Sequence, residues 1–155
     1  MLQEVISDFD YMIERKNATI KTSELPTIDS IPSQMRQVFQ NLIGNALKFS
    51  GNEEKAVIEI TSETILEKSI ESPTSPEGKF CRITVKDNGI GLNKNQIEEL
   101  FKKFTKMSRL GTANEGSTGI GLYLCKKNIE RNNGRLTASS EGKNKGAEFR
   151  IEFDV

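Results

Sequence analysis

The chain has 155 residues, 35% of them hydrophobic and 28% charged, with 22 Lys and Arg against 22 Asp and Glu and no histidine. That length suits one domain able to bury roughly 68–70% of its unfolded surface, and the charge balance excludes both a disordered polyelectrolyte and a protein held to nucleic acid by net charge. No apolar stretch approaches the ~20 residues of a membrane helix, and residues 1–16 lack the basic start and apolar centre of a signal peptide, so a cytoplasmic protein without direct membrane contact is expected.

Leu2, Val5, Ile6, Phe9, Met12 and Ile13 recur at spacings of three and four, which predicts a helix over 1–16. Two heptads are too few for a coiled coil. The segment reads either as a connecting helix or as an ordinary packing helix. Asn17 to Leu25 reads as a short strand closed by Leu25-Pro26. From about Pro32 to Phe49, Met35, Val38, Phe39, Leu42, Ile43, Ala46 and Leu47 mark a strong helix interrupted only by Gly44.

Strands are predicted over Ala56–Leu66 and Phe80–Lys86, separated by an exposed loop, Glu67–Lys79, that carries Pro73, Pro76 and Gly78. Gln96–Phe104 reads as a short helix, Thr105–Thr118 as a long loop, and Gly119–Arg131 as a helix bearing Ile120, Tyr123, Leu124 and Ile129. Strands over Arg135–Ser140 and Ala147–Phe153 flank a Gly142–Gly146 turn. The sum is an α+β domain whose longest internal loop lies between two glycine-rich segments, a placement usual for functional or disordered loops.

Cys81 and Cys125 sit among apolar neighbours without CxxC spacing and read as reduced, buried thiols. The absence of histidine removes Ser-His-Asp and Cys-His pairs and imidazole metal ligands. Any chemistry falls to carboxylates, amides, lysines and backbone. On the 32–49 helix, Asn41, Asn45 and Lys48 fall at i, i+4 and i+7 and share one face, opposite Val38, Leu42 and Leu47. Amide oxygens suit Mg²⁺ and an ammonium suits phosphate, so the stripe is either half of a metal–phosphate site or a solvated polar face.

Asp87-Asn88-Gly89-Ile90-Gly91 follows a strand, and Asn-Gly there is first a turn signal. The second glycine implies a close backbone approach, and a buried Asp beside it can accept from an adenine amino group but not from the guanine carbonyl. Gly116-Ser117-Thr118-Gly119-Ile120-Gly121 opens a helix, where free N–H groups and the dipole favour phosphate. Leu122 stands where a Walker motif needs Lys, so that motif is excluded. Lys102, Lys103, Lys106 and Arg109 crowd the preceding loop, either as a basic lid over phosphates or as solvated charge.

Taken in order, these segments resemble the Bergerat-fold ATPases of the gyrase, Hsp90, histidine-kinase and MutL group, and within it the ATP-binding catalytic domain of sensor histidine kinases. Residues 37–50 resemble that family's N box, 87–92 its G1 box, 101–104 its F box and 116–122 its G2 box. The resemblance implies a two-layer α/β sandwich, with a mixed, mostly antiparallel sheet covered by three helices on one face and a long ATP lid. It divides the chain into a connecting helix, 1–16, as the tail of a dimerisation hairpin, and a catalytic domain, 17–155.

Carried over by position, it implies Asn45 as the Mg²⁺ ligand with Asn41 beside it, Lys48 on phosphate and Asp87 on the adenine amino group. Gly89 and Gly91 would shape the adenine pocket, Phe101 and Phe104 anchor the lid, and Thr118, Gly119 and Gly121 meet the phosphates, with Leu122 closing the same motif. Lys106 and Arg109 match lid contacts more loosely. ATP-hydrolysing relatives place a glutamate four residues before the metal-binding Asn; Asn41 stands there and cannot act as general base. That implies transfer of the γ-phosphoryl to a protein acceptor, with Asn41 and Lys48 as the catalytic pair. The acceptor would be a histidine on a dimerisation domain outside this chain, and a response regulator receiver domain would be an indirect partner. An anti-sigma-factor type of serine kinase and a non-catalytic nucleotide-sensing domain are the competing readings.

Overall fold

In a computed structural model of the chain, which describes residues 1–50, 55–65, 80–102 and 121–154, the apolar stripe read over 32–49 becomes α3, Pro32–Lys48. Met35, Val38, Phe39, Leu42, Ile43, Ala46 and Leu47 are all buried. Proline at its first position suits a helix start, where no intrahelical N–H bond is lost.

Preceding it, a single helix gives way to two, α1 (Leu2–Asp8) and α2 (Asp10–Arg15), separated at Phe9. Val5 is fully buried in the same core as α3. The predicted strand at 17–25 is shorter, β1 (Thr19–Thr22), and its later start follows from the left-handed turn of Asn17 at φ 52° after α2.

The remaining elements are β2 (Val57–Ile65), β3 (Phe80–Asp87), α4 (Lys94–Glu99), α5 (Gly121–Arg131), β4 (Gly134–Ser139) and β5 (Ala147–Asp154). Five strands form one sheet in the order β1-β2-β3-β5-β4. Every pairing is antiparallel except β1 with β2, where Thr19 lies opposite Val57. A parallel pair needs a crossover, and α3 supplies it.

Strand alternation sorts the two faces. Ile58, Ile60, Ile83, Val85, Leu136, Phe149 and Ile151 are buried toward the helices. On the opposite face, Glu59 pairs with Lys86 and Lys86 with Glu148, while Arg82 lies between Glu63 and Glu152. Opposite charges thus stand across neighbouring strands, the favourable arrangement for a sheet with one polar face. The expected two-layer α+β sandwich is present.

α3 and α5 run antiparallel and are joined by amides. Asn132 accepts from the Ile31 N–H at 2.7 Å at the start of α3 and donates to Gln34 at 2.9 Å, and Asn128 donates to Gln37 at 2.9 Å. α4 starts earlier than the Gln96 expected, because Asn93 and Gln96 form a reciprocal capping box, and it ends at Glu99 rather than at Phe104. The loops at 67–79 and 105–118 lie outside the described residues.

Candidate active site

Three segments distant in sequence meet at the second half of α3. Asn41, Asn45 and Lys48 form its half-buried face. The Asn41 side-chain amide donates to the Gly121 carbonyl at 3.3 Å, which brings the N-terminus of α5 to that face. Just beyond α3, the Phe49 carbonyl accepts from Ile90 N–H at 3.2 Å. That bond ties the 87–91 loop to the end of the helix.

Asp87 closes β3 at only 5% exposure. Its Oδ1 accepts from the N–H groups of Gly89 at 2.8 Å and Ala147 at 3.2 Å, so two backbone donors orient the carboxylate. Both glycines of the loop are forced. A Cβ on Gly89 would strike the Phe49 carbonyl, and Gly91, at φ +74°, would strike the Gly142 carbonyl. Asn88 is not a simple turn residue: it accepts from Val57 N–H at 2.8 Å and donates to the Lys55 carbonyl at 2.9 Å, fastening the loop to β2.

The β4–β5 turn braces the same loop from behind, a role that sequence reading missed. Asn144 N–H donates to the Ile90 carbonyl at 2.8 Å and Gly146 N–H to the Gly89 carbonyl at 3.1 Å. Ser140 Oγ accepts from Leu92 N–H at 3.0 Å and donates to the Gly146 carbonyl at 2.6 Å. The only available signal was the glycine pair at 142 and 146, which is equally a plain turn.

Phe101 lies edge-on to Phe149 with ring centroids 6.5 Å apart, and the Lys126 ammonium stands 5.3 Å above its ring. It joins the segment after α4 to both β5 and α5. Leu122 packs against the hydrophobic core. Phe104, Lys106, Arg109, Thr118 and Gly119 lie outside the described residues. Cys125, one turn into α5, is fully buried; burial pushes its thiol up to about 12, opposed by a hydrogen bond with Asn41. Cys81 is raised for the same reason.

The donor set suits a nucleotide: neutral amides and an ammonium on one helix face, a helix N-terminus beside them, and an oriented carboxylate at the loop. Among the described residues, no group of three His, Cys, Asp or Glu side chains could hold a metal ion. The half-buried amides of Asn41 and Asn45 are hard oxygen donors of the kind that suits Mg²⁺.

Fold and site together define a Bergerat-type ATP-binding catalytic domain: the chain belongs to the family described as Histidine kinase-, DNA gyrase B-, and HSP90-like ATPase, whose pattern matches residues 30–155. Its similar relatives are sensor kinases. Sensor protein kinase WalK of Staphylococcus haemolyticus is 32% identical over 109 residues, 70% of this chain and 16% of that protein. The protein of the same name from Staphylococcus aureus is 31% identical over 109 residues, 70% of this chain and 23% of that protein. The chain thus spans less than a quarter of these relatives.

Solved structures agree on the fold. A mycobacterial sensor histidine kinase, MprB, superposes with a TM-score of 0.72 at 16% identity, covering 97% of this chain and 92% of that one. Full-length ShkA in complex with AMPPNP gives 0.72 at 24% identity, covering 99% of this chain and 29% of that one. No helix among the described residues is long and apolar enough to cross a membrane.

Proposed function

We propose that this chain binds Mg–ATP and transfers the γ-phosphoryl to a histidine carried on a separate dimerisation domain, as the kinase domain of a cytoplasmic or membrane-anchored two-component sensor. The observation that carries the reading is the convergence of Asn41, Asn45 and Lys48 with Gly121 and the Asp87–Gly91 loop around one helix end. Residues 17–155 form the catalytic unit, and residues 1–16 connect it to the acceptor-bearing hairpin.

Asp87 accepts from the adenine amino group, with Gly89 and Gly91 giving the ring room. Asn45 would hold Mg²⁺ together with the phosphates, Asn41 lies beside it, and Lys48 neutralises phosphate charge. Gly121, with Thr118, Gly119 and Leu122, forms the α5 end of the phosphate site. Phe101 and Phe104 anchor the lid, from which Lys106 reaches the nucleotide. The bound metal supplies charge neutralisation at the phosphates.

Phosphoryl transfer is mostly positioning and charge stabilisation, so this residue set needs no protein base. Asn41 cannot deprotonate water, which favours a protein acceptor. With no histidine in the sequence, the chain cannot be its own acceptor, and a receiver domain would take the phosphoryl group only after that acceptor.

The test is calorimetric titration with a non-hydrolysable ATP analogue, with and without Mg²⁺, followed by incubation with labelled ATP and a histidine-bearing helical hairpin. Binding strengthened by Mg²⁺ and acid-labile label on the hairpin are expected. Label on a serine of the hairpin, or none with binding intact, would defeat the kinase assignment.

A further inference from the structure

α1 and α2 follow α3 in the same direction, and three contacts tie them to it from end to end. At the start of α3, Arg36 donates to Glu4 at 2.8 Å and to Asp8 at 3.4 Å, and Gln40 donates to Asp8 at 3.5 Å. Midway, at the break between the two helices, the Phe9 ring lies against Gly44, where a Cβ would stand 3.4 Å from it. At the far end, the Lys16 ammonium donates to the Leu47 carbonyl at 2.6 Å, the Ser50 hydroxyl at 3.3 Å and the Lys48 carbonyl at 3.4 Å. Ser50 Oγ donates to the Leu47 carbonyl at 2.8 Å and closes the clasp.

The last carbonyls of a helix have no intrahelical partners and carry partial negative charge, so an ammonium is favoured there on both counts. What sets this terminus apart is what leaves it. Lys48 belongs to the clasped turn, and the next carbonyl, that of Phe49, accepts from Ile90 N–H and packs against Gly89. One side chain from the leading helices therefore holds the turn from which Lys48 and the Asp87–Gly91 loop are placed.

We propose that Lys16 is a positioning residue for nucleotide binding, fixing the last turn of α3 so that Lys48 and the Asp87–Gly91 loop keep the relative placement ATP requires. The inference rests on the ATP site proposed above.

The test uses the 155-residue chain in three variants at a temperature where circular dichroism shows each one folded. Lys16→Met keeps the aliphatic stem and removes the ammonium, Lys16→Arg restores a cation, and Arg36→Met cuts the tie at the opposite end of α3. In titrations with an ATP analogue and Mg²⁺, Lys16→Met is expected to weaken affinity about tenfold, the size of a lost charged hydrogen bond, with Lys16→Arg recovering most of it. The Ile90 amide resonance of the ligand-free protein is expected to move in Lys16→Met and to stay in place in Arg36→Met, whose affinity stays that of the parent.

Equal binding by Lys16→Met and the parent, or equal weakening by Arg36→Met, would overturn the positioning role while leaving the ATP site standing. A parent that binds no nucleotide would overturn both. Should Lys16→Met fail to fold, Ser50→Ala is the milder cut of the same clasp: a smaller loss in the same direction supports the proposal, and parental affinity with an unmoved Ile90 resonance overturns it.

Discussion

Asp87 is oriented by the fold, because two backbone N–H groups hold one of its oxygens. Replacing it by Asn keeps the size and substitutes a group that both donates and accepts. Asp87→Asn is therefore expected to lower the ratio of ATP to GTP affinity by about tenfold or more, read from parallel titrations with the two analogues. Gly91→Ala forces a side chain into a left-handed position already closed by the Gly142 carbonyl. It is expected to cost about 1–3 kcal/mol, seen as an earlier denaturant midpoint. Asp87 and its glycines were legible because their chemistry is local: acid, turn and close approach fall within five residues. Ser140 and Asn144 were not, since they act on a loop some fifty residues away and nothing in their own neighbourhood says so.

Among the elements, α3 was read nearly to its last residue, because seven buried positions at helical spacing leave no other period. The capping box of α4 is present in Asn93 and Gln96 and sets a start earlier than the expected Gln96. The break at Phe9 had no sequence signal; at that point the ring rests on Gly44 of α3. The parallel setting of β1 beside β2 also follows from tertiary crossover rather than propensity. Asn132 shows how such packing is held, since it serves the start of α3, Gln34 and its own helix together. Asn132→Ala should destabilise the fold by about 1–3 kcal/mol, because the Ile31 N–H and the Gln34 and Asn128 oxygens lose their partner, yet leave nucleotide affinity within about twofold of the parent, because the site lies at the opposite end of α3.

At the scale of the molecule, the buried thiol of Cys125 makes a pH prediction. Its folded value, about 12, lies above the ordinary 9.0, so the protonated form is favoured in the fold. The stabilisation it brings is present below the ordinary value and is lost as pH rises through the folded one. Denaturant unfolding at rising alkaline pH should show this decline, and a Cys125→Ala variant should lack that part of it. The family was legible because four motifs occur in one order, which no single motif could have shown. The connection of α1 and α2 to α3 was not, because it depends on contacts spanning more than thirty residues.

The central strands β3 and β5 pair in register from Phe80 with Asp154 to Asp87 with Ala147, so everything from Asn88 to Gly146 is one excursion between neighbours already zipped together. Closing such an excursion grows dearer by only about 0.6 kcal/mol for each doubling of its length. A flexible insertion within that excursion that leaves Leu100 and Phe101 on the core should therefore yield a folded variant with an almost unchanged melting temperature.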